Sequence, residues 1–147
     1  MSDVRPVEIV LAEDDEDDYF LTREALQESR IANRLHWVRD GEELMAFLRR
    51  EGHFDERLAE PDPALILLDL NMPRKDGREA LREIKEDPDL RSIPVIVLTT
   101  SDAEEDIVRS YDLGVNSFVQ KPVSFGEFIR TVQQLTDYWF QLVRLPR

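Results

Sequence analysis

The sequence contains no cysteine, and this absence removes three kinds of chemistry at once. Disulfide bonds, thiolate metal sites and cysteine nucleophiles all require a sulfhydryl group. Long apolar runs are also missing: none approaches the ~20 residues that a membrane-spanning helix needs. Residues 1–5 lack the apolar core of a signal peptide. We therefore expect a cytoplasmic protein that does not contact a membrane.

Basic side chains are scarce in this chain. It has 19 lysine and arginine residues against 32 aspartate and glutamate residues, which gives a net charge of −13. A surface of this charge repels the phosphate backbone of nucleic acids. The arginines between residues 23 and 50 are interspersed with acids and form no basic patch. We therefore expect no nucleic-acid partner.

Short apolar runs alternate with amphipathic stretches along the 147 residues, a length that suits one domain. Continuous apolar runs predict buried strands, and apolar spacings of three and four predict helices. Five strand–helix repeats are typical of a parallel sheet that helices cover on both faces, so we predict a doubly wound α/β fold. The predicted strands are 7–12, 35–38, 64–68, 94–98 and 116–120, and the predicted helices are 15–29, 42–50, 78–86, 104–113 and 124 onward.

Two further segments carry local signals. Residues 52–63 are rich in charge and end among prolines, so we predict a surface loop there. The last helix follows Ser124, which is a suitable N-cap, and Glu127 stands in the capping-box position. Its apolar stripe continues to about Val143, which predicts a long C-terminal helix.

Polar side chains follow four of the predicted strands. Glu13 and Asp14 follow the first strand, Asp69 the third, Thr99 the fourth and Lys121 the fifth. In a doubly wound sheet these carboxyl ends form the ligand site. Neighbouring carboxylates repel each other unless a cation lies among them, and oxygen ligands of this kind suit Mg²⁺. A lysine and a hydroxyl add donors for a phosphoryl group, so the pattern indicates attack by an aspartate carboxylate on phosphorus.

Three stretches of the chain resemble the receiver domains of two-component response regulators. They are residues 69–77 (Asp-Leu-Asn-Met-Pro-Arg-Lys-Asp-Gly), 98–101 (Leu-Thr-Thr-Ser) and 119–122 (Val-Gln-Lys-Pro). With the acids after the first strand, the resemblance covers about residues 6–137. It implies a flavodoxin-like, five-stranded parallel sheet with strand order 2-1-3-4-5, and phosphoryl transfer from a sensor histidine kinase to an aspartate.

The resemblance also implies a role for each residue at the strand ends. Asp69 is the phosphoacceptor, and Lys121 pairs with it and then with the phosphoryl group. Asp14 and Asp69 bind Mg²⁺ directly, Glu13 binds it through water, and the backbone carbonyl of Asn71 is a further ligand. Glu13 stands where aspartate is the commoner residue.

Two other residues take the positions of the family's switch. The Thr99 hydroxyl moves to bond the phosphoryl group, and Phe118 takes the place of an aromatic side chain that changes rotamer. Phe118 lacks the hydroxyl of the more usual tyrosine. No hydrogen bond from that ring can therefore secure an inward rotamer.

Residues 138–147 are expected to extend the receiver core rather than to form an output domain, so that 1–147 is a single receiver domain. The extension carries Tyr138, Trp139 and Phe140, and an exposed aromatic cluster usually marks a protein contact. We predict a homodimer through the last strand and the C-terminal helix region. This extension and the 52–63 segment resemble small response regulators that partner phytochrome histidine kinases, which implies a phytochrome-type kinase as the donor.

We expect a phosphoacceptor signalling domain that is not an enzyme, and two other functions are its alternatives. Phosphatases of the haloacid dehalogenase type also use an aspartate nucleophile on an α/β sheet. They need a second acid two residues after the nucleophile, where this chain has Asn71. A constitutive interaction module that has lost phosphorylation would not need the full set of acids, hydroxyl and lysine found here.

Overall fold

The computed structural model describes residues 6–28, 32–99, 117–121 and 123–134. These residues form a five-stranded sheet with the order β2-β1-β3-β4-β5, in which all neighbouring strands are parallel. The predicted doubly wound, flavodoxin-like fold is therefore confirmed. The strands are β1 (Val7–Ala12), β2 (Asn33–Val38), β3 (Leu65–Asp69), β4 (Val95–Thr99) and β5 (Ser117–Gln120).

Four α-helices lie in the described ranges: α1 (Glu16–Glu28), α2 (Gly41–Arg49), α3 (Gly77–Glu86) and α4 (Phe125–Gln134). Asp40 caps α2 by accepting a hydrogen bond from the Glu43 amide at 2.8 Å, and Asp76 caps α3 in the same way. Such caps satisfy amides that the first turn of a helix leaves unpaired. The helix predicted at 104–113 lies outside the described residues. No helix in the described ranges is long and apolar enough to cross a membrane.

At the start of α4 the predicted N-cap is confirmed, but the predicted capping box is wrong. Ser124 is the N-cap, because its hydroxyl accepts a hydrogen bond from the Glu127 amide at 3.2 Å. Glu127 does not complete a capping box with Ser124. Its carboxylate instead accepts from the Gln120 amide at 2.9 Å, and so ties the helix to the end of β5.

The apolar core lies on both faces of the sheet. Successive residues of a strand point to opposite faces, so β1, β3 and β4 supply side chains to both layers and read as continuous apolar runs. One layer packs under α2 and α3 and the other under α1 and α4. Central members of the first layer are Val10, Phe47, Ile66, Leu81 and Val97, and those of the second are Leu11, Leu26, Leu67, Leu98 and Phe128.

The segment after α2 is more ordered than the predicted surface loop. It lies on the surface, but Gly52–Ala59 forms a 3-10 helix. Phe54 packs edge-on against the buried Phe47, with ring centroids 5.4 Å apart. Arg50 adopts a left-handed conformation (φ 58°) at the C-cap of α2, and its guanidinium donates to the Glu60 carbonyl at 2.6 Å. These contacts hold the segment against the body of the domain.

Candidate functional site

Three acidic residues meet at the carboxyl edge of the sheet. Ala12 of β1 is in register with Leu68 of β3, so the residues that follow them, Glu13 and Asp69, lie side by side. Glu13 and Asp69 are almost completely buried, whereas Asp14 is exposed. One carboxylate oxygen from each of the three lies within 4.8 Å of the others. The predicted juxtaposition of these acids is therefore present.

Strand β2 fixes the backbone of Glu13. Its amide donates to the Val38 carbonyl at 2.9 Å, and its own carbonyl accepts from the Trp37 indole nitrogen at 2.7 Å. The Trp37 ring is itself held by stacking on Tyr19, with centroids 3.9 Å apart. The Arg39 guanidinium lies 4.1 Å from the centroid of the indole. Trp37 was not among the predicted site residues, because an aromatic residue in a strand is normally read as core.

The start of α3 fixes the position of Asp69. Oδ1 of Asp69 accepts a hydrogen bond from the Asn71 amide at 3.2 Å. Gly77, the first residue of α3, donates its amide to the Leu70 carbonyl at 3.0 Å. A side chain at Gly77 would place its Cβ 2.2 Å from the carbonyl oxygen of Asp69, so only glycine allows this approach.

Lys121 reaches three carboxylates from the end of β5. Its Nζ lies 2.8 Å from Oδ2 of Asp18, 3.0 Å from Oε1 of Glu13 and 3.5 Å from Oδ2 of Asp69. Its backbone amide donates to the Thr99 carbonyl at 2.8 Å, which fixes the lysine relative to β4. The predicted neighbours of Lys121 are present, and Asp18 is an additional one.

The two predicted switch residues lie on the same face of the sheet. Phe118 is in register with Val97, and Thr99 follows Val97 by two residues along β4. Because alternate residues of a strand share a face, Thr99 and Phe118 point to the same side. Thr99 is buried, and Phe118 is partly buried against the layer under α2 and α3. Their predicted roles in switching stay predictions.

The electrostatics of the site follow from its burial. Burial raises the pKa of Glu13 to about 8, and the charge of Asp69 and a hydrogen bond shared with it act in the same direction. Burial also raises the pKa of Asp69, against the opposing effects of Glu13 and Lys121. Burial alone would lower the pKa of Lys121, but Asp18, Asp69 and Glu13 outweigh it and raise that pKa. In the metal-free protein these shifts favour a proton shared by the two buried carboxyls and the charged form of Lys121.

This arrangement fits a hard divalent cation. Oε1 of Glu13 is buried and has no hydrogen-bond partner among the described residues, since its contact with Lys121 has ion-pair distance but not hydrogen-bond geometry. An unpartnered buried oxygen is costly unless something not present, such as a cation or water, satisfies it. The three carboxylate oxygens are donors of the type that Mg²⁺ and similar ions prefer. A bound cation would also replace the proton that the buried acids share.

Comparison with known proteins decides the family. The model of the response regulator receiver domain matches residues 9–133. The chain belongs to the response regulator receiver family. Receiver domains are signalling proteins that interact with histidine kinases.

Relatives of this receiver domain match nearly its whole length. The response regulator Rcp1 of Synechocystis sp. is 45% identical over 141 residues, which cover 96% of this chain and 94% of Rcp1. The Mn²⁺-bound structure of Rcp1 has a TM-score of 0.74 and covers 97% of this chain and 100% of its own. The bacteriophytochrome response regulator RtBRR has a TM-score of 0.85 at 45% identity, covering 90% of this chain and 79% of RtBRR. The phosphorylated cyanobacterial phytochrome response regulator RcpA has a TM-score of 0.75 at 44% identity, with coverage of 97% and 100%.

Several predicted residues of this receiver domain are brought together and others lie outside the described ranges. Side chains that meet at the edge of the sheet belong to Glu13, Asp14, Asp69 and Lys121. The predicted dimer contacts, Tyr138, Trp139 and Phe140, lie outside the described residues. Asp18 was missed because it reads as one more acid in the first turn of a helix, where acids are common for reasons of helix capping and dipole.

Proposed function

We propose that this receiver domain accepts a phosphoryl group on Asp69 from a sensor histidine kinase in a Mg²⁺-dependent reaction. The observation that carries the proposal is the position of the Asp69 carboxylate, which is buried between an acid cluster and Lys121. An aspartate at the end of an apolar strand needs partners, and the partners here are those that phosphoryl transfer requires. Asn71 stands where a haloacid dehalogenase needs its second acid, which disfavours that reading.

The residues present would hold the cation as follows. Asp14 and Asp69 would bind it directly, Glu13 through water, and the Asn71 carbonyl would complete the protein ligands. Mg²⁺ bound there supplies positive charge against the oxygens of the transferred group. The same charge would favour the deprotonated forms of Glu13 and Asp69, and Asp69 must be deprotonated to act as a nucleophile.

The chain's own groups define the transfer step. Oδ1 of Asp69 is engaged by the Asn71 amide, so we assign the attack to Oδ2, which faces Lys121. A bond forms between Oδ2 and phosphorus while the donor's bond to phosphorus breaks and its electron pair leaves with the donor. The Lys121 ammonium then donates to a phosphoryl oxygen. The product is an acyl phosphate on Asp69.

Phosphorylation would change the contacts of the domain through Thr99 and Phe118. Thr99 ends β4 and its hydroxyl can turn towards a phosphoryl group on Asp69. Phe118 shares that face of the sheet and can follow into the space that Thr99 leaves. Such paired movements bias a two-state balance and so carry the signal to a partner surface.

We further propose that the donor is a phytochrome-type histidine kinase. The support is the likeness to Rcp1, RtBRR and RcpA, of which the last two are described as phytochrome response regulators. We place the reaction in the cytoplasm, where such kinases draw on ATP. On this proposal, 1–147 is one receiver domain that is a signalling protein and not an enzyme.

The acceptor assignment is tested by incubation with acetyl phosphate and Mg²⁺, followed by intact-mass measurement. We expect one phosphoryl group on the wild type and none on Asp69→Asn. Asp76→Asn is the matched control, because it removes one charge from the same loop and asparagine remains a good helix cap. Full labelling of Asp69→Asn, or none of the wild type, would show that Asp69 is not the acceptor.

The donor and the dimer need separate measurements. Transfer from an autophosphorylated bacteriophytochrome kinase should be faster than from an unrelated histidine kinase, and equal rates would remove the phytochrome proposal. We also propose a homodimer through the last strand and the C-terminal helix region. Sedimentation should show a dimer for the full chain and a monomer for Trp139→Ala and for a chain that ends near Thr136. Monomeric behaviour of the full chain would contradict this.

A further inference from the structure

We propose that Asp18 is a positioning residue that competes with the phosphoryl group for Lys121. The inference rests on the function proposed above for Asp69. The nearest carboxylate to the Lys121 Nζ is that of Asp18 at 2.8 Å, whereas the acceptor Asp69 is 3.5 Å away. In this state the lysine is therefore drawn towards α1 and away from the position where it must act.

The first turn of α1 fixes Asp18 in place. The Asp18 amide donates to Oδ1 of Asp15 at 3.1 Å, and the Asp18 carbonyl accepts from the Thr22 hydroxyl at 2.9 Å. Thr22 is itself buried. The side chain of Asp18 is 27% exposed and that of Lys121 only 12%, so water screens their attraction incompletely.

A bound cation would leave Asp18 as the main competitor. Glu13, Asp14 and Asp69 form the group that could hold one ion, and Asp18 lies outside it. When a cation occupies the cluster, the charges of its three members are offset by that ion. Lys121 then has two strong acceptors within reach: the Asp18 carboxylate and the incoming phosphoryl oxygens. Because the two acceptors compete for one ammonium group, a stronger contact with Asp18 weakens the binding of Lys121 to the phosphoryl oxygens.

Removal of Asp18 should therefore favour the phosphoryl-bound state. Lys121 stays anchored without it, because Glu13 and Asp69 remain within 3.5 Å and the Lys121 backbone is bonded to Thr99. Partly exposed ion pairs contribute up to about 1 kcal/mol, which corresponds to an affinity change of up to about fivefold. We therefore expect Asp18→Asn to raise the affinity for a phosphoryl group, because Lys121 no longer has a competing carboxylate.

The affinity for a phosphoryl mimic tests this directly. Beryllium fluoride is titrated into the full chain at saturating Mg²⁺, and we expect Asp18→Asn to bind it about threefold to fivefold more tightly than the wild type. Asp18→Glu keeps the negative charge and should stay near the wild-type affinity. Asp17→Asn is the matched control, since it removes the same charge from an exposed neighbour in the same turn and should have no effect.

A second readout needs neither metal nor phosphoryl mimic. The Lys121 Nζ resonance in the metal-free protein should shift in Asp18→Asn and stay unchanged in Asp17→Asn. An unshifted resonance, or an Asp18→Asn variant that binds the mimic as weakly as the wild type or more weakly, would overturn the proposal. Weaker binding in particular would make Asp18 an anchor for the lysine. Wild-type protein that binds no mimic at all would instead contradict the proposed function.

Discussion

The raised pKa of Glu13 makes the stability of the metal-free protein depend on pH in an unusual direction. A glutamate in an unfolded chain titrates near 4.5, whereas burial beside Asp69 raises the pKa of Glu13 to about 8. Between these values the folded state holds a proton that the unfolded state has lost. The free energy of unfolding should therefore be highest at low pH for this group, and should fall as the pH rises through about 8. Most salt-bridged carboxyls behave in the opposite way.

The size of the effect follows from the same shift. Each pKa unit corresponds to about 1.36 kcal/mol, so the full shift sets an upper bound of roughly 5 kcal/mol. The value of about 8 already includes the opposing effect of Lys121, but Asp69 competes for the same proton, so the pair titrates together and the loss is smaller than this bound. We expect a loss of about 2 kcal/mol between roughly pH 6 and pH 8. The raised pKa of Lys121 does not contribute here, because it matters only above the lysine's ordinary range.

Urea unfolding in the presence of a chelator measures this loss. Glu13→Gln is the decisive variant, since an uncharged amide can still donate a hydrogen bond to Asp69 and has no proton to lose. Its stability should be nearly flat over the interval in which the wild type declines, and at about pH 8 the variant should be the more stable protein. Parallel pH profiles for the two proteins would refute the shared-proton account of the site.

The remaining predictions concern the cation and two positioning residues. Mg²⁺ must displace the proton of Glu13, so its apparent affinity should rise about tenfold per pH unit below about 8, as calorimetry in buffers of different ionisation enthalpy would show. Gly77→Ala should lower the free energy of unfolding by about 2 kcal/mol and slow phosphorylation, because the new Cβ meets the Asp69 carbonyl. Gly126→Ala, whose Cβ would meet no other atom, should instead stabilise the protein by about 0.5–1 kcal/mol in thermal unfolding. Trp37→Phe keeps an aromatic stack but loses the bond to Glu13, and should weaken Mg²⁺ binding roughly tenfold.

The central strands could be predicted from the sequence because each is a short, continuous run of apolar residues. The run of residues 64–68 is short and apolar at every position, which is typical of a strand covered on both faces. The predicted limits of β3 and β4 differ from the observed ones by one residue, since hydrogen bonding continues to Asp69 and Thr99 although their side chains are polar. Strand β2 extends two residues further back than predicted, because Asn33 pairs with Val7 through its backbone, which does not depend on side-chain polarity.

The sequence predicts which residues meet at the site, but it does not predict all of their side-chain contacts. The convergence of Glu13, Asp14, Asp69 and Lys121 follows from parallel topology alone, because the ends of parallel strands share one edge. The pairing of Asp18 with Lys121 depends on how α1 lies against β5, and a sequence pattern does not contain that packing. The bond from Trp37 to Glu13 and the 3-10 helix after α2 were missed for the same reason.

The proposed phosphorylation site forms only when strands that are far apart in sequence have come together in the parallel sheet. Glu13 and Lys121 touch across 108 residues of sequence, and Asp69 ends β3, one of the two strands that lie between β1 and β5. A chain that is still being synthesised, or one whose last strand has come away, keeps its aspartate but has lost the ammonium group beside it. On the proposed function, uptake of a phosphoryl group would therefore report the fraction of molecules in which these strand ends have met. A kinase that phosphorylates Asp69 as proposed would then act on molecules in which β1, β3 and β5 have come together.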